Sequence, residues 1–152
     1  AYLLACVALL AAAVSGCASA VTGDAGPPCF PPAFIVTPSS AKPGDQVTVA
    51  APDATCDPRY GENARIQVAV TDAAGQEVLI GNAPMNDAGG FSYAFEVPTG
   101  TATGEAAVTA MPLNIDWCDD TGRNNRAAGS GAAVTLSRVS CVIPMRPLIV
   151  TR

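Results

Sequence analysis

From Phe91 to Val97 apolar and polar side chains alternate without a break: Phe91, Tyr93, Phe95 and Val97 on one side, Ser92, Ala94 and Glu96 on the other. A period of two belongs to a strand with one buried face. The stretch from Arg65 to Thr71 repeats it, with Ile66, Val68 and Val70 inward and Arg65, Gln67 and Thr71 outward. Gln46 to Ala50 follows suit through Val47 and Val49, and shorter apolar pieces stand at Phe34–Thr37, Glu77–Ile80, Glu105–Met111 and Pro147–Thr151. Turn signals separate them: Pro43-Gly44-Asp45, Asp72-Ala73-Ala74-Gly75, Asp87-Ala88-Gly89-Gly90 and Pro98-Thr99-Gly100. No segment combines a helical period with caps. About seven short strands joined by Gly and Pro turns predict an all-β fold, a sandwich of antiparallel sheets. Fourteen Gly and thirteen Pro suit it.

The chain begins differently. An apolar run of Leu, Ala and Val from near Tyr2 ends in Val14-Ser15-Gly16-Cys17, after which Ser, Thr, Asp, Gly and Pro take over. A short apolar run ending in small residues reads as a secretory signal. It is too short for a membrane span, which needs roughly 20 apolar residues. Residues 1–16 contain neither Met nor Lys nor Arg, so the signal is expected to be truncated at its N-terminus. Residues 17–32, with Pro27-Pro28 and Pro31-Pro32, are expected to form an extended tether, and residues 33–152 the domain.

Val14-Ser15-Gly16-Cys17 resembles a lipobox, the bacterial lipoprotein signal. The resemblance implies cleavage before Cys17 and a diacylglyceryl group on its thiol, hence a lipid-anchored protein on the extracytoplasmic face of the cell membrane. Of the six cysteines, Cys6 lies within the apolar run. Cys29, Cys56, Cys118 and Cys141 remain, and four cysteines in an exported chain read as two disulfides. A zinc site is disfavoured because no CxxC pair is present.

A second resemblance rests on Val36-Thr37-Pro38-Ser39-Ser40, Pro43-Gly44-Asp45-Gln46-Val47-Thr48-Val49, Asp87-Ala88-Gly89-Gly90-Phe91 and Val97-Pro98-Thr99-Gly100-Thr101-Ala102-Thr103-Gly104. This succession is similar to the immunoglobulin-like domains of bacterial surface proteins, notably actinobacterial ones. The Cys-Trp-Cys core of antibody domains is missing. An immunoglobulin-like path implies that the four cysteines gather at one end of the sandwich. On that path Cys56–Cys118 and Cys29–Cys141 are the favoured bridges, with Cys29–Cys56 and Cys118–Cys141 as the rival set.

The stretch from Asn114 to Met145 fits the strand pattern least and reads as a long irregular loop before the last strand. It holds the densest group of polar and aromatic candidates: Asp116, Trp117, Asp119, Asp120, Arg123, Asn124 and Asn125. Arg59, Tyr60, Glu62 and Asn63 are expected beside them across the loops. A Trp among carboxylates, amides and Arg suits sugar or peptide binding through stacking and directed hydrogen bonds. The competing reading is a disulfide-pinned loop whose Trp caps the core. The acid spacing does not match a calcium loop, and neither metal nor cofactor is expected.

The 152 residues contain no His, which removes Ser–His and Cys–His nucleophile pairs and blue-copper ligation. A net charge of −5 excludes the basic footprint of a nucleic-acid binder. The expectation is a non-catalytic module that binds an envelope polymer or protein through its loops. The alternative is an accessory or inhibitor subunit of an exported enzyme.

Overall fold

The structure, a computed structural model, describes residues 29–115 and 142–152. These residues are all-β and contain eight strands: β1 (Ile35–Thr37), β2 (Ser40–Ala41), β3 (Gln46–Ala51), β4 (Arg65–Thr71), β5 (Glu77–Pro84), β6 (Phe91–Glu96), β7 (Gly104–Pro112) and β8 (Met145–Val150). They form two sheets, one in the order β1-β3-β6 and one in the order β2-β8-β7-β4-β5. All pairings are antiparallel except β2 with β8, which is parallel. The expected β-sandwich is therefore the architecture of the chain.

The alternation read from the sequence sets which face is buried. Val47 and Val49 of β3 and Phe95 of β6 are buried in one sheet. Ile66, Val68 and Val70 of β4, Ala106, Val108 and Ala110 of β7, and Leu148 and Val150 of β8 are buried in the other. Each fully buried Val, Leu or Ile contributes about 1.5–3 kcal/mol relative to exposure, so the core carries the fold without many aromatics. Arg146 clasps the two sheets together. Its Nε donates to the Phe34 carbonyl at 3.1 Å, and its guanidinium lies 5.9 Å from the centre of the buried Phe34 ring.

Three strands differ from the sequence reading. β2 lies in a stretch of turn composition and exists because Ser40 and Ala41 align with Ile149 and Val150 of β8. β8 starts at Met145, two residues earlier than expected, because β7 offers partners as far as Thr109. β5 continues past Ile80 through Gly81-Asn82-Ala83-Pro84, all paired with β4. Gly81 reads as a breaker but is required there. It lies opposite buried Val68 and faces the interior, where a Cβ would collide with the hydroxyl and ring tip of Tyr93 from β6. Glycine in a strand marks such a close approach.

The strand directions sort the connections to two ends. Residues 29–34, 52–64 and 85–90 lie at one end, with Leu113–Ile115 and Val142–Pro144; we call it the loop end. The opposite end is held by Asp72, which is almost fully buried. Its Oδ1 accepts from the amides of Ala74 and Gln76 at 2.9 and 3.0 Å, and its Oδ2 accepts from the amide of Ala102 at 3.0 Å. One carboxylate thus pins the β4–β5 hairpin to the β6–β7 connection. The Ala102 amide first, and then that of Gln76, hold the Asp72 carboxyl below the usual aspartate range.

Two expectations follow. Gly81→Ala should cost about 1–3 kcal/mol through overpacking. In a Tyr93→Leu background, whose side chain stops short of the clash, about 1 kcal/mol of that cost should disappear; strictly additive denaturation midpoints would refute the contact. Asp72→Asn should lower the Tm by several degrees at neutral pH, because an amide nitrogen replaces one accepting oxygen. A depressed folded-state pKa gives stability that is full above the unfolded value of about 3.9 and is lost as pH falls through the folded value. The Tm gap between wild type and Asp72→Asn should therefore narrow below about pH 4, and a gap independent of pH would contradict this role.

Candidate functional site

The loop end carries a cleft of about 430 Å³ lined by residues 60–65 and 113–115. It is built from the two strands beneath it. β4 and β7 run side by side, and the Leu113 amide extends their ladder by donating to the Arg65 carbonyl at 2.8 Å. Asn114 then takes a φ of 58°, a left-handed conformation that Asn tolerates better than most residues, and turns the chain over the cleft. Opposite, Gly61 at φ 92° is closed into a turn by the Ala64 amide bonding the Gly61 carbonyl at 3.1 Å.

The tight turn at Asn86–Gly90 holds the 52–64 loop in place. The Tyr60 amide donates to the Asp87 carbonyl and the Ala54 amide to the Ala88 carbonyl, both at 2.9 Å. The Asp87 carboxylate accepts from the Gly61 amide, and Asn86 Nδ2 donates to Asp53 Oδ1 at 2.7 Å. Gly89 and Gly90 leave room for this. A Cβ at Gly89 would sit 2.9 Å from both Pro32 and the Tyr60 ring, and one at Gly90 would run into the Asp53 carboxylate.

Tyr60 lines the cleft but is only 6% exposed. Its place in the sequence, between Arg59 and Glu62, makes it a candidate ligand-contacting side chain. Its ring is instead a core residue packed by Gly89, so it supplies cleft wall and not an open stacking face. Glu62 and Asn63 line the cleft beside it, while the residues they are expected to neighbour, Asp116 to Asn125, lie outside the described residues. Arg65, Leu113, Asn114 and Ile115 join Glu62 and Asn63 and were not singled out as ligand contacts. The one signal for them was Asn114, a turn-forming residue directly after a strand. Cys17, Asp116, Trp117, Cys118, Asp119, Asp120, Arg123, Asn124, Asn125 and Cys141 lie outside the described residues. With one carboxylate and two amides among apolar neighbours, the cleft is equipped for hydrogen bonding and apolar contact.

The disulfide pairing corrects the favoured one. Cys29 bonds Cys56, with Cα atoms 5.7 Å apart, so neither Cys56–Cys118 nor Cys29–Cys141 forms. The reason is strand register. β1 and β3 pair with Ile35 opposite Ala50 and Thr37 opposite Thr48. Continued six residues before Ile35 and six after Ala50, the same antiparallel alignment sets position 29 against position 56. The bridge fixes the incoming chain to the loop that walls the cleft. Cys118–Cys141, the other half of the rival set, lies outside the described residues.

No protein-family model matches the chain, and comparison with curated proteins finds no match.

The bridge spans a sequence separation of 27, for which chain-entropy arguments give a stabilisation of about 3–4 kcal/mol. Cys29→Ser with Cys56→Ser should lose a substantial part of this in denaturant titrations. Amide exchange should rise first in residues 52–64, while β4 and β7 stay protected. Peptide mapping without reduction should recover Cys29 and Cys56 in one linked species; a Cys56–Cys118 peptide would overturn the assignment.

Proposed function

We propose that this chain is a cell-envelope lipoprotein whose immunoglobulin-like sandwich is a non-catalytic binding module, taking an envelope polymer or protein at its loop end. The observation that carries this reading is the junction of cleft and bridge. Cys29–Cys56 staples the segment that follows Cys17 to the loop supplying Tyr60, Glu62 and Asn63 to the cleft wall. An anchored chain benefits from such a staple, because it sets the binding end at a defined distance from the lipid. The fold assignment draws support from the strand order. A three-stranded sheet of first, third and sixth strands faces a sheet in which the last strand lies between β2 and β7. An immunoglobulin-like path uses the same order, with the first edge divided between the sheets.

In this reading Trp117, with Asp116, Asp119, Asp120, Arg123 and Asn124, adds its contacts to those of Glu62 and Asn114. The ligand is a sugar or peptide polymer met by stacking and hydrogen bonds. The alternative of an accessory or inhibitor subunit draws on the outer edge of β5, an eight-residue strand that ends its sheet among the described residues, since sheet edges accept an added strand.

The test is retention of a cell-wall fraction by the immobilised protein. Trp117→Ala should abolish retention and leave the Tm unchanged. If the wild type retains nothing and Trp117→Ala lowers the Tm, Trp117 is a packing residue and the reading fails. Intact mass of protein extracted from its native membrane should show a diacylglyceryl group on Cys17.

A further inference from the structure

The outer face of the five-stranded sheet departs from the usual alternation of apolar inside and polar outside. Its central row crosses four strands: Ile80 lies opposite Ala69, Ala69 opposite Thr109, and Thr109 opposite Met145. None of the four is charged, and Ile80 and Met145 are 58% and 56% exposed. The rows toward the far end add Pro147 opposite Ala107 and Ile149, 40% exposed, opposite Glu105. Small residues in the middle strands keep the face low, so another flat surface can approach closely.

Charge on this face is confined to its ends. Arg65 stands at the loop end of β4, while Glu77 of β5 and Glu105 of β7 stand toward the opposite end. All three are exposed. A patch with an uncharged centre, a cation at one end and carboxylates at the other is complementary to itself when reversed. We propose that this face is a self-association surface whose occupant is the same face of a second copy of the chain. The two copies are related by a two-fold axis that lies in the interface and crosses the strands. Each Arg65 then meets the Glu105 end of the second copy, and the uncharged rows meet in the middle. This is the isologous arrangement that a two-fold dimer requires.

The size of the face sets the strength. Four strands at about 4.8 Å spacing and seven residues at about 3.4 Å give roughly 450 Å² per copy, or roughly 900 Å² in all. That is near the lower bound of about 1,000 Å² for a biological interface. The dimer is therefore weak and reversible, and becomes appreciable where copies are crowded.

Sedimentation equilibrium of the purified full chain tests this. The wild type should pass from monomer to dimer as concentration rises into the high-micromolar range. Thr109→Arg places a charge at the centre of the face and should raise the dissociation constant at least tenfold with an unchanged Tm. Arg65→Glu and Glu105→Arg should each weaken the dimer at low salt, and the double exchange should restore it. A wild type that stays monomeric throughout overturns the proposal. If Thr109→Arg then also lowers the Tm, the face is covered by a segment of the same chain. A dimer indifferent to Thr109→Arg uses another surface and overturns the proposal equally.

Discussion

Everything in this fold depends on two sheets closing over a layer of small branched side chains. Val47 and Val49 from one sheet lie over Val68, Val70, Val108 and Leu148 of the other, all essentially without exposure. Sheets packed face to face stand about 10 Å apart, and a valine layer fills that space with stiff, single-rotamer groups. A larger side chain must find a gap opposite. Tyr93 finds one over Gly81, and Phe34 sits at the seam that Arg146 covers. Tyr93 and Phe34 are thus placed by where the aliphatic layer leaves room.

The same ladders that define the layer define the site. β4 and β7 fix where residues 65 and 113 emerge, and the β1–β3 register fixes where the incoming chain meets residue 56. The cleft is therefore an outcome of strand pairing more than of loop chemistry. The turn at Asn86–Gly90 then holds the 52–64 loop down through bonds to the backbone of Ala54, Tyr60 and Gly61, with side chains adding the contacts at Asp53 and Asp87.

The long alternating strands were legible because their burial is written in the period of their own residues, as at Ile66-Val68-Val70 and Phe91-Tyr93-Phe95. Features that depend on a distant partner were not. β2 is two residues long and exists only beside β8. The extension of β5 hides behind Gly81, whose reason is a tyrosine twelve positions later. The gathering of cysteines at one end follows from strand direction, but the choice of partner does not. The start of β1 has both β3 and β8 as neighbours, as the Phe34–Arg146 contact demonstrates. Either neighbour is compatible with a bridge from Cys29 until the register is known. Tyr60 shows the converse limit: its polar surroundings in sequence, Arg59, Gly61 and Glu62, conceal a buried ring.

If Cys17 carries the lipid proposed for it, the placement of Cys29 constrains how the module works. Cys29 stands twelve positions after Cys17 in the sequence, and a fully extended chain of twelve residue steps spans at most about 40 Å. The cleft end is then held within about 40 Å of the membrane surface, which favours ligands at the membrane or the base of the wall over distant external ones. The reversed, two-fold pairing of the outer sheet faces puts the second copy's cleft end roughly one strand length away, about 30 Å for the nine residues of β7. That lies within the reach of a second tether, so two lipid anchors in one bilayer are compatible with the reversed dimer. Anchoring also confines the copies to a surface, which raises their local concentration and allows an interface near the lower size limit to be occupied.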